Sequence, residues 1–276
     1  MITLIGGAVV AGTGAFFSDS ETSTGNTFTA GELDLKVDNT SYGFDYNDPS
    51  VEDPEGIWGL NEGNSWSLRD LDKCGTEENP ISCLFFNFAD LKPGDYGEDT
   101  ISLHVQNDAW ACAVFTLTGT PENGINDPEA DAGDETEDVG ELHKMLSFIF
   151  WKDDGDNVLE EGEEIIEDLT GSSSDVFSGE KLAIAESGDE PLQAGETTYI
   201  GKGWCFGGME ATPAPQEENP NGPTPGNTGF TCNGAADQNH NAAQTDGLTV
   251  DVEFYAEQSR NNPDFKCNPV RDEEPG

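Results

Sequence analysis

Residues 248–256 alternate strictly: Leu248, Val250, Val252, Phe254 and Ala256 fall on one side of an extended backbone, and Thr249, Asp251, Glu253 and Tyr255 on the other. A period of two is the mark of a strand with one buried face. The same period recurs in Leu33, Leu35 and Val37, in Leu84, Phe86 and Phe88, and in Ile101, Leu103 and Val105. Residues 114–117 and 146–151 are denser in apolar side chains, as expected of strands covered on both faces. Helical spacing is confined to residues 141–145, where Leu142 and Met145 would share a face over a turn or two. Between Lys92 and Asp95, Pro93 presets φ for the first central turn position and Gly94 supplies positive φ at the second, which predicts a type II turn. Short alternating runs separated by Gly, Pro, Asn and Asp predict an all-β fold, a two-sheet antiparallel sandwich with jelly-roll-like topology. One such domain spans residues 27–267. Two insertions, 121–141 (acidic) and 210–229 (rich in Pro, Asn and Gly), and an acidic tail, 268–276, read as solvated segments.

Eleven Lys plus Arg stand against 56 Asp plus Glu, a net charge of −45, and none of these charges lies in residues 1–15. So one-sided a charge repels itself in dilute buffer, whereas at molar salt the Debye length falls to about 3 Å and the repulsion is screened. The composition is similar to that of haloarchaeal secreted proteins and implies a high-salt environment. Nucleic acid and anionic membrane surfaces are poor partners for this charge, and cations are good ones. A disordered acidic chain is excluded by the 34% apolar content, with 15 Phe and five Trp placed in alternating runs.

Cys74, Cys83, Cys112, Cys205, Cys232 and Cys267 are even in number, which suits an oxidising compartment and three disulfides. Cys74 with Cys83 would close a short Asn-Pro-containing loop. Cys112 with Cys205 is expected from their strand-like contexts beside Trp110 and Trp204. No CxxC pair is present, so neither a zinc ribbon nor a redox motif is indicated.

Residues 2–15 form an uncharged run with small side chains at Thr13 and Ala15, the A-x-A positions of a signal-peptidase site. The expectation is that residues 1–15 are the C-terminal part of a signal peptide, cut by signal peptidase between Ala15 and Phe16, leaving an exported chain with no stable membrane anchor. At this length the run falls short of the roughly 20 apolar residues that span a bilayer.

GTGAFFSDSETSTGNTFTAGELDLKV, residues 12–37, resembles the N-terminal signature of the TasA/camelysin family of exported biofilm-matrix fibre proteins, which carry SipW-type signal peptides. The LKPGD of residues 91–95, the strand-like residues 102–107 and VDVEFYAEQ at 250–258 are similar to later segments of that family. The long insertions and the cysteines depart from its bacterial members. The resemblance implies a jelly-roll-like sandwich polymerised outside the cell by donor-strand exchange. Residues 16–26 would be the donor strand and linker, with Phe16, Phe17, Ser18, Asp19 and Ser20 at the subunit interface. Burying Phe16 and Phe17 in a neighbour would contribute roughly 2 kcal/mol each. The partners are then further copies of the chain, with other matrix components.

Catalytic signatures are lacking. His104, His143 and His240 are isolated and form no HExxH, there is no GxSxG elbow, and GKGWCFGG at 201–208 lacks the spacing of a phosphate-binding loop. The camelysin label implies a metalloprotease as a further reading, without a metal site to carry it. A candidate calcium cluster is Asp153, Asp154, Asp156, Asn157, Glu161 and Glu164: EF-hand counting from Asp153 puts Asn157, Glu161 and Glu164 at positions 5, 9 and 12, but Gly155 and Val158 occupy positions 3 and 6. A solvated acidic hairpin is the competing reading. Tyr42, Tyr46, Trp58 and Trp66 in polar surroundings could form a sugar platform, as in a monomeric calcium- or sugar-binding surface module, or could cap the sandwich end.

Overall fold

The structure is a computed structural model that describes residues 18–23, 34–45, 57–62, 64–71, 74, 83–85, 91–135, 138–216, 222–234 and 238–268. Its strands in chain order are β1 (Ser18–Ser23), β2 (Lys36–Asp45), β3 (Ile57–Leu60), β4 (Trp66–Arg69), β5 (Tyr96–His104), β6 (Ala109–Gly119), β7 (Leu146–Asp153), β8 (Glu164–Ile165), β9 (Gly171–Ser172), β10 (Ser178–Ala185), β11 (Thr197–Phe206), β12 (Gly208–Ala211), β13 (Phe230–Asn233) and β14 (Thr249–Gln258). A small sheet runs β1-β14-β6-β10. A large one runs β3-β2-β5-β11-β7-β8, with β4 on β2 and β9 on β7, and β12 and β13 form a separate hairpin. All of these strand pairs are antiparallel. The all-β sandwich expected from the alternating runs is the architecture observed.

The core lies where the alternating residues of the two sheets meet. Leu35, Val37, Ile101, Leu103, Phe148, Phe150 and Ile200 come from the large sheet, and Ala111, Ala113, Phe115, Val252, Phe254 and Ala256 from the small one. Phe115 meets Phe150 at 5.4 Å between ring centroids, and Phe254 meets Phe85 at 5.6 Å. Burial of each such side chain contributes roughly 1.5–3 kcal/mol. The turn into β5 has the expected geometry, since Gly94 sits at φ 100° and the Asp95 N–H donates to the Lys92 carbonyl at 2.9 Å. The short helix α2 (Leu142–Met145) also forms where its spacing predicts, with Leu142 buried.

Three expectations are corrected. Cys74–Cys83 forms, but Cys112 pairs with Cys267 and Cys205 with Cys232. The expected Cys112–Cys205 bridge is impossible here because the two side chains sit on opposite outer faces. Cys112 lies between the inward Ala111 and Ala113 of β6, and Cys205 between the inward Trp204 and Phe206 of β11. Second, the register at residues 83–85 is the reverse of that expected: Phe85 is buried and Leu84 is exposed, a one-residue slip that exchanges the faces. Phe86 and Phe88 lie outside the described residues. Third, residues 121–141 are not merely a solvated loop. They hold helix α1 (Asp127–Ala132), closed by a capping box in which the Asn126 side chain accepts from Glu129 N–H at 2.9 Å and Glu129 accepts from Asn126 N–H at 2.6 Å. Such a cap is worth about 1 kcal/mol. The fully buried Glu129 carboxylate also accepts from the Thr245 backbone at 2.6 Å and its hydroxyl at 2.8 Å, tying the insertion to the approach to β14.

Residues of the second insertion also pack: Ala214 N–H donates to the Leu159 carbonyl and Glu161 N–H to the Ala214 carbonyl. Cys205–Cys232 clamps the β12–β13 hairpin to the outer face of the large sheet, and Cys112–Cys267 pins the end of the described chain to the outer face of the small one. Three disulfides suit a non-reducing compartment. No helix among the described residues is long and apolar enough to cross a membrane.

Candidate functional site

Residues directly opposite in an antiparallel ladder share a face. Across β5, β11 and β7 the registers align Glu98, Gly203 and Ile149; Thr100, Gly201 and Trp151; and Ser102, Tyr199 and Asp153. These three rows form the outer face of the large sheet, away from the main core. Gly201 and Gly203 make the centre of that face a trough. A Cβ on Gly201 would lie 2.0 Å from the Trp151 indole, and one on Gly203 would lie 2.5 Å from the Phe230 ring. Trp151 and Phe230 fill the trough with Ile149 and Leu159 as a second small core.

The chain leaving β7 folds back over this face. Gly155, at φ 112°, sits against the Tyr199 ring, and Asn157 adopts φ 64°, a left-handed conformation that Asn tolerates better than most residues. Asp153 organises the turn: its Oδ2 accepts from the N–H groups of Gly155 at 3.1 Å and Asn157 at 3.2 Å, and its Oδ1 accepts from Trp151 Nε1 at 3.0 Å. Glu163 braces the far side, accepting from Asp154 N–H at 3.1 Å and Glu160 N–H at 2.8 Å. Gln216 from the second insertion donates to Glu160 and Asp154.

The electrostatics are strongly one-signed. Burial pushes Asp153 up to about 6 despite its three donors, with the Asp156 charge adding to the shift. Burial likewise raises Glu163 to about 7 against the donors from Glu160 and Asp154, with Asp153 adding repulsion. Glu98 is fully buried, and neither of its carboxylate oxygens has a hydrogen-bond partner among the described residues. Its pKa is raised well above the usual range by burial first, then by the charges of Asp153, Asp99 and Asp156. Asn157 is 2% exposed, and neither its Nδ2 nor its Oδ1 has a hydrogen-bond partner among the described residues.

Of the six residues expected to hold calcium, Asp153, Asp154 and Asp156 bring carboxylate oxygens within 4.8 Å of one another, and Asn157 lies buried next to them. Glu161 and Glu164 do not join. Glu161 is exposed, and Glu164 has crossed onto β8, where it faces out and meets Lys152 at 3.0 Å. EF-hand counting fails because the chain turns back at Gly155 and enters β8 rather than continuing as a loop into a helix. Glu98 was missed because Glu98-Asp99 reads as one more acidic pair in a chain with 56 Asp plus Glu. Counting back by twos from Ile101 puts Asp99 on the core face and Glu98 on the other, and that parity was the only available signal.

The other candidates separate. Ser18, Asp19 and Ser20 lie in β1, opposite Glu257, Ala256 and Tyr255 of β14, whereas Ala15, Phe16 and Phe17 lie outside the described residues. His104 pairs with Asp38 at 3.4 Å, while the rings of His143 and His240 contact backbone carbonyls of Gly140 and Gly234. Of the four aromatics expected to form a sugar platform, Trp66 is buried against Phe85, Tyr42 is partly exposed, and Tyr46 is outside the described residues. Trp58 instead contacts Tyr96 and donates to the Pro223 carbonyl. Glu122, Glu141 and Asp246 form a second acidic group, at the entry to α2. Comparison with known proteins finds no family model that matches this chain and no match among curated proteins.

Proposed function

We propose that the chain is a structural subunit of an extracellular filament, assembled by exchange of its N-terminal strand between subunits. The observation that carries the reading is the position of β1. Among the described residues it is the edge strand of the small sheet and pairs with β14 alone, in an unbroken register from Ser18 opposite Glu257 to Ser23 opposite Val252. β14 keeps its partner β6 on the other side. Removing β1 from the home subunit therefore uncovers one ladder edge and leaves the rest of the sandwich paired. An edge so uncovered is a template for the equivalent segment of the next subunit, and a head-to-tail contact of this kind propagates without closing. The SDSETS sequence of β1 is polar, so β-addition supplies main-chain hydrogen bonds and the apolar anchor falls to Phe16 and Phe17. The jelly-roll-like winding and the release of the terminus by signal peptidase belong to this same reading, which draws on the resemblance to TasA/camelysin fibres.

A second reading is favoured by the same strand: β1 closes its own sheet and the chain acts as a monomeric surface module. Deleting residues 16–20 separates the two. The filament reading requires folded subunits that no longer polymerise in molar salt, as seen by electron microscopy. Intact processed chains that remain dispersed under those conditions would establish the monomeric one.

A further inference from the structure

Asn39, Asp99 and Lys202 stand on three neighbouring strands, β2, β5 and β11, and all three are buried: Asp99 and Lys202 are 0% exposed and Asn39 is 1%. Lys202 lies directly opposite Asp99 in the β5–β11 ladder, with its Nζ 2.8 Å from Asp99 Oδ2. The other oxygen, Oδ1, accepts from Asn39 Nδ2 at 3.3 Å, and Lys202 Nζ also donates to the Phe85 carbonyl at 3.0 Å. The ring of Phe85 packs edge-on against Trp66, which stands opposite Asn39 on β4. An ion pair so enclosed has lost the hydration of both its charges. The ion pairs Lys36–Asp34, Lys144–Glu141, Lys152–Glu164 and Lys266–Glu186 all keep part of their side chains in water. Burial lowers the Lys202 pKa, against the pull of Asp99, and so favours passing one proton across the pair. That transfer leaves an amine with a free lone pair beside a carboxyl carbon. Groups held in this way react as if present at on the order of 10⁵ M or more.

We propose that Lys202 and Asp99 condense after folding into an isopeptide bond that joins β11 to β5 through their side chains. The Lys202 nitrogen attacks Asp99 Cγ, the Nζ–Cγ bond forms, and the Cγ–Oδ2 bond breaks. The ammonium begins with three protons and the amide keeps one, so the departing oxygen carries the other two away as water. No oxidant or other reactant is needed. The Asn39 N–H steadies the negative charge that gathers on Oδ1 as the nitrogen adds. The Ser41 hydroxyl, directly opposite Asp99 on β2, and Asn39 Oδ1 are buried without a hydrogen-bond partner among the described residues, and they offer the released water an acceptor and a donor. The product replaces two buried charges with one neutral amide. It also ties together residues far apart in sequence, which constrains the unfolded chain as a disulfide does, but reductant does not open it. Nothing in this proposal depends on filament formation.

The test uses the full chain, folded in molar NaCl, then denatured and its three disulfides reduced before mass spectrometry. The intact mass is expected to fall short of the sequence by one water per chain. Peptide mapping is expected to show a branched peptide joining Asp99 to Lys202, and trypsin should fail to cut after Lys202, whose side chain is acylated. Lys202→Arg keeps a cation for Asp99 and removes the nucleophile, and is expected to have its full sequence mass. Far-UV circular dichroism checks that this variant is folded, and with reductant present it should melt below the parent. A parent chain of full sequence mass, cut after Lys202 and yielding residues 99 and 202 on separate linear peptides, overturns the proposal whether or not any variant folds. Loss of one ammonia instead of one water, with Lys202 joined to Asn39, would make Asp99 a carrier of protons rather than the acceptor and would overturn the assignment equally.

Discussion

Glu98 and Asp99 are neighbours on β5, are both fully buried, and point to opposite faces of the same sheet. Asp99 meets Lys202 at 2.8 Å, and Lys202 also donates to the Phe85 carbonyl at 3.0 Å, while Asn39 donates to Asp99 at 3.3 Å and to the Asn64 carbonyl at 2.7 Å. Glu98 has no such partner among the described residues. The inner acid is neutralised by one of only 11 basic residues in the chain, so its compensation is folded in. The outer acid has burial and like charges against it, and its pKa is raised accordingly. Two chemically similar residues one position apart thus differ in whether the fold supplies a counter-charge, and the parity of the strand decides which of them receives it.

The comparison breaks most sharply at Lys202. Burial lowers its pKa, and Asp99 opposes that shift. Lys202→Ala leaves Asp99 buried without its cation and should cost roughly 3–5 kcal/mol, read by denaturant unfolding in molar salt. Calcium should not restore the loss, because the defect lies on the core face. A restored variant would mean that the two faces are not independent.

A smaller effect marks a third acid, outside both systems. Asp246 is raised from 3.8 to about 7, by burial first and then by the Glu122 side chain, while its carboxylate accepts from the N–H groups of Glu141 and Leu142 at the start of α2. A carboxyl whose folded pKa is raised binds its proton more tightly in the native state, so its contribution is fully present below 3.8 and is lost as pH rises through about 7. Asp246→Asn keeps an acceptor oxygen for α2 and removes the titration. Thermal melts should therefore show the parent losing stability relative to the variant between pH 4 and 8, by the same amount with chelator or with calcium. A difference that calcium abolishes would mean that the 122/141/246 cluster takes the ion.

Much of the fold was legible because alternation is a physical requirement of a half-buried sheet. Val252, Phe254 and Ala256 face the core as their spacing demands, and so do Ile101 and Leu103. Where both neighbours are apolar, parity becomes ambiguous, and Leu84 and Phe85 take the faces opposite to those that the spacing predicts. Disulfide pairing failed for a related reason. Cys112 and Cys205 have similar strand contexts, but sequence alone does not say that their strands belong to different sheets. In the candidate site the run of acids at 153–156 was visible, whereas the buried acid on the same face of the sheet, Glu98, was not. Glu98 owes its position to the β5-β11-β7 register, which only the assembled sheet defines. Glu161 and Glu164 were drawn in by counting along a loop that turns away.

The most direct test of the account compares the thermal unfolding of the parent chain with that of Glu98→Gln across the acid to neutral range, each in molar NaCl. Burial and the charges of Asp153, Asp99 and Asp156 raise the Glu98 pKa, so its contribution is fully present at low pH and is lost as pH rises through the folded value. The parent should therefore lose stability relative to the variant as pH rises. Melting curves that stay parallel across the range would contradict the claim that Glu98 is a buried acid with no counter-charge.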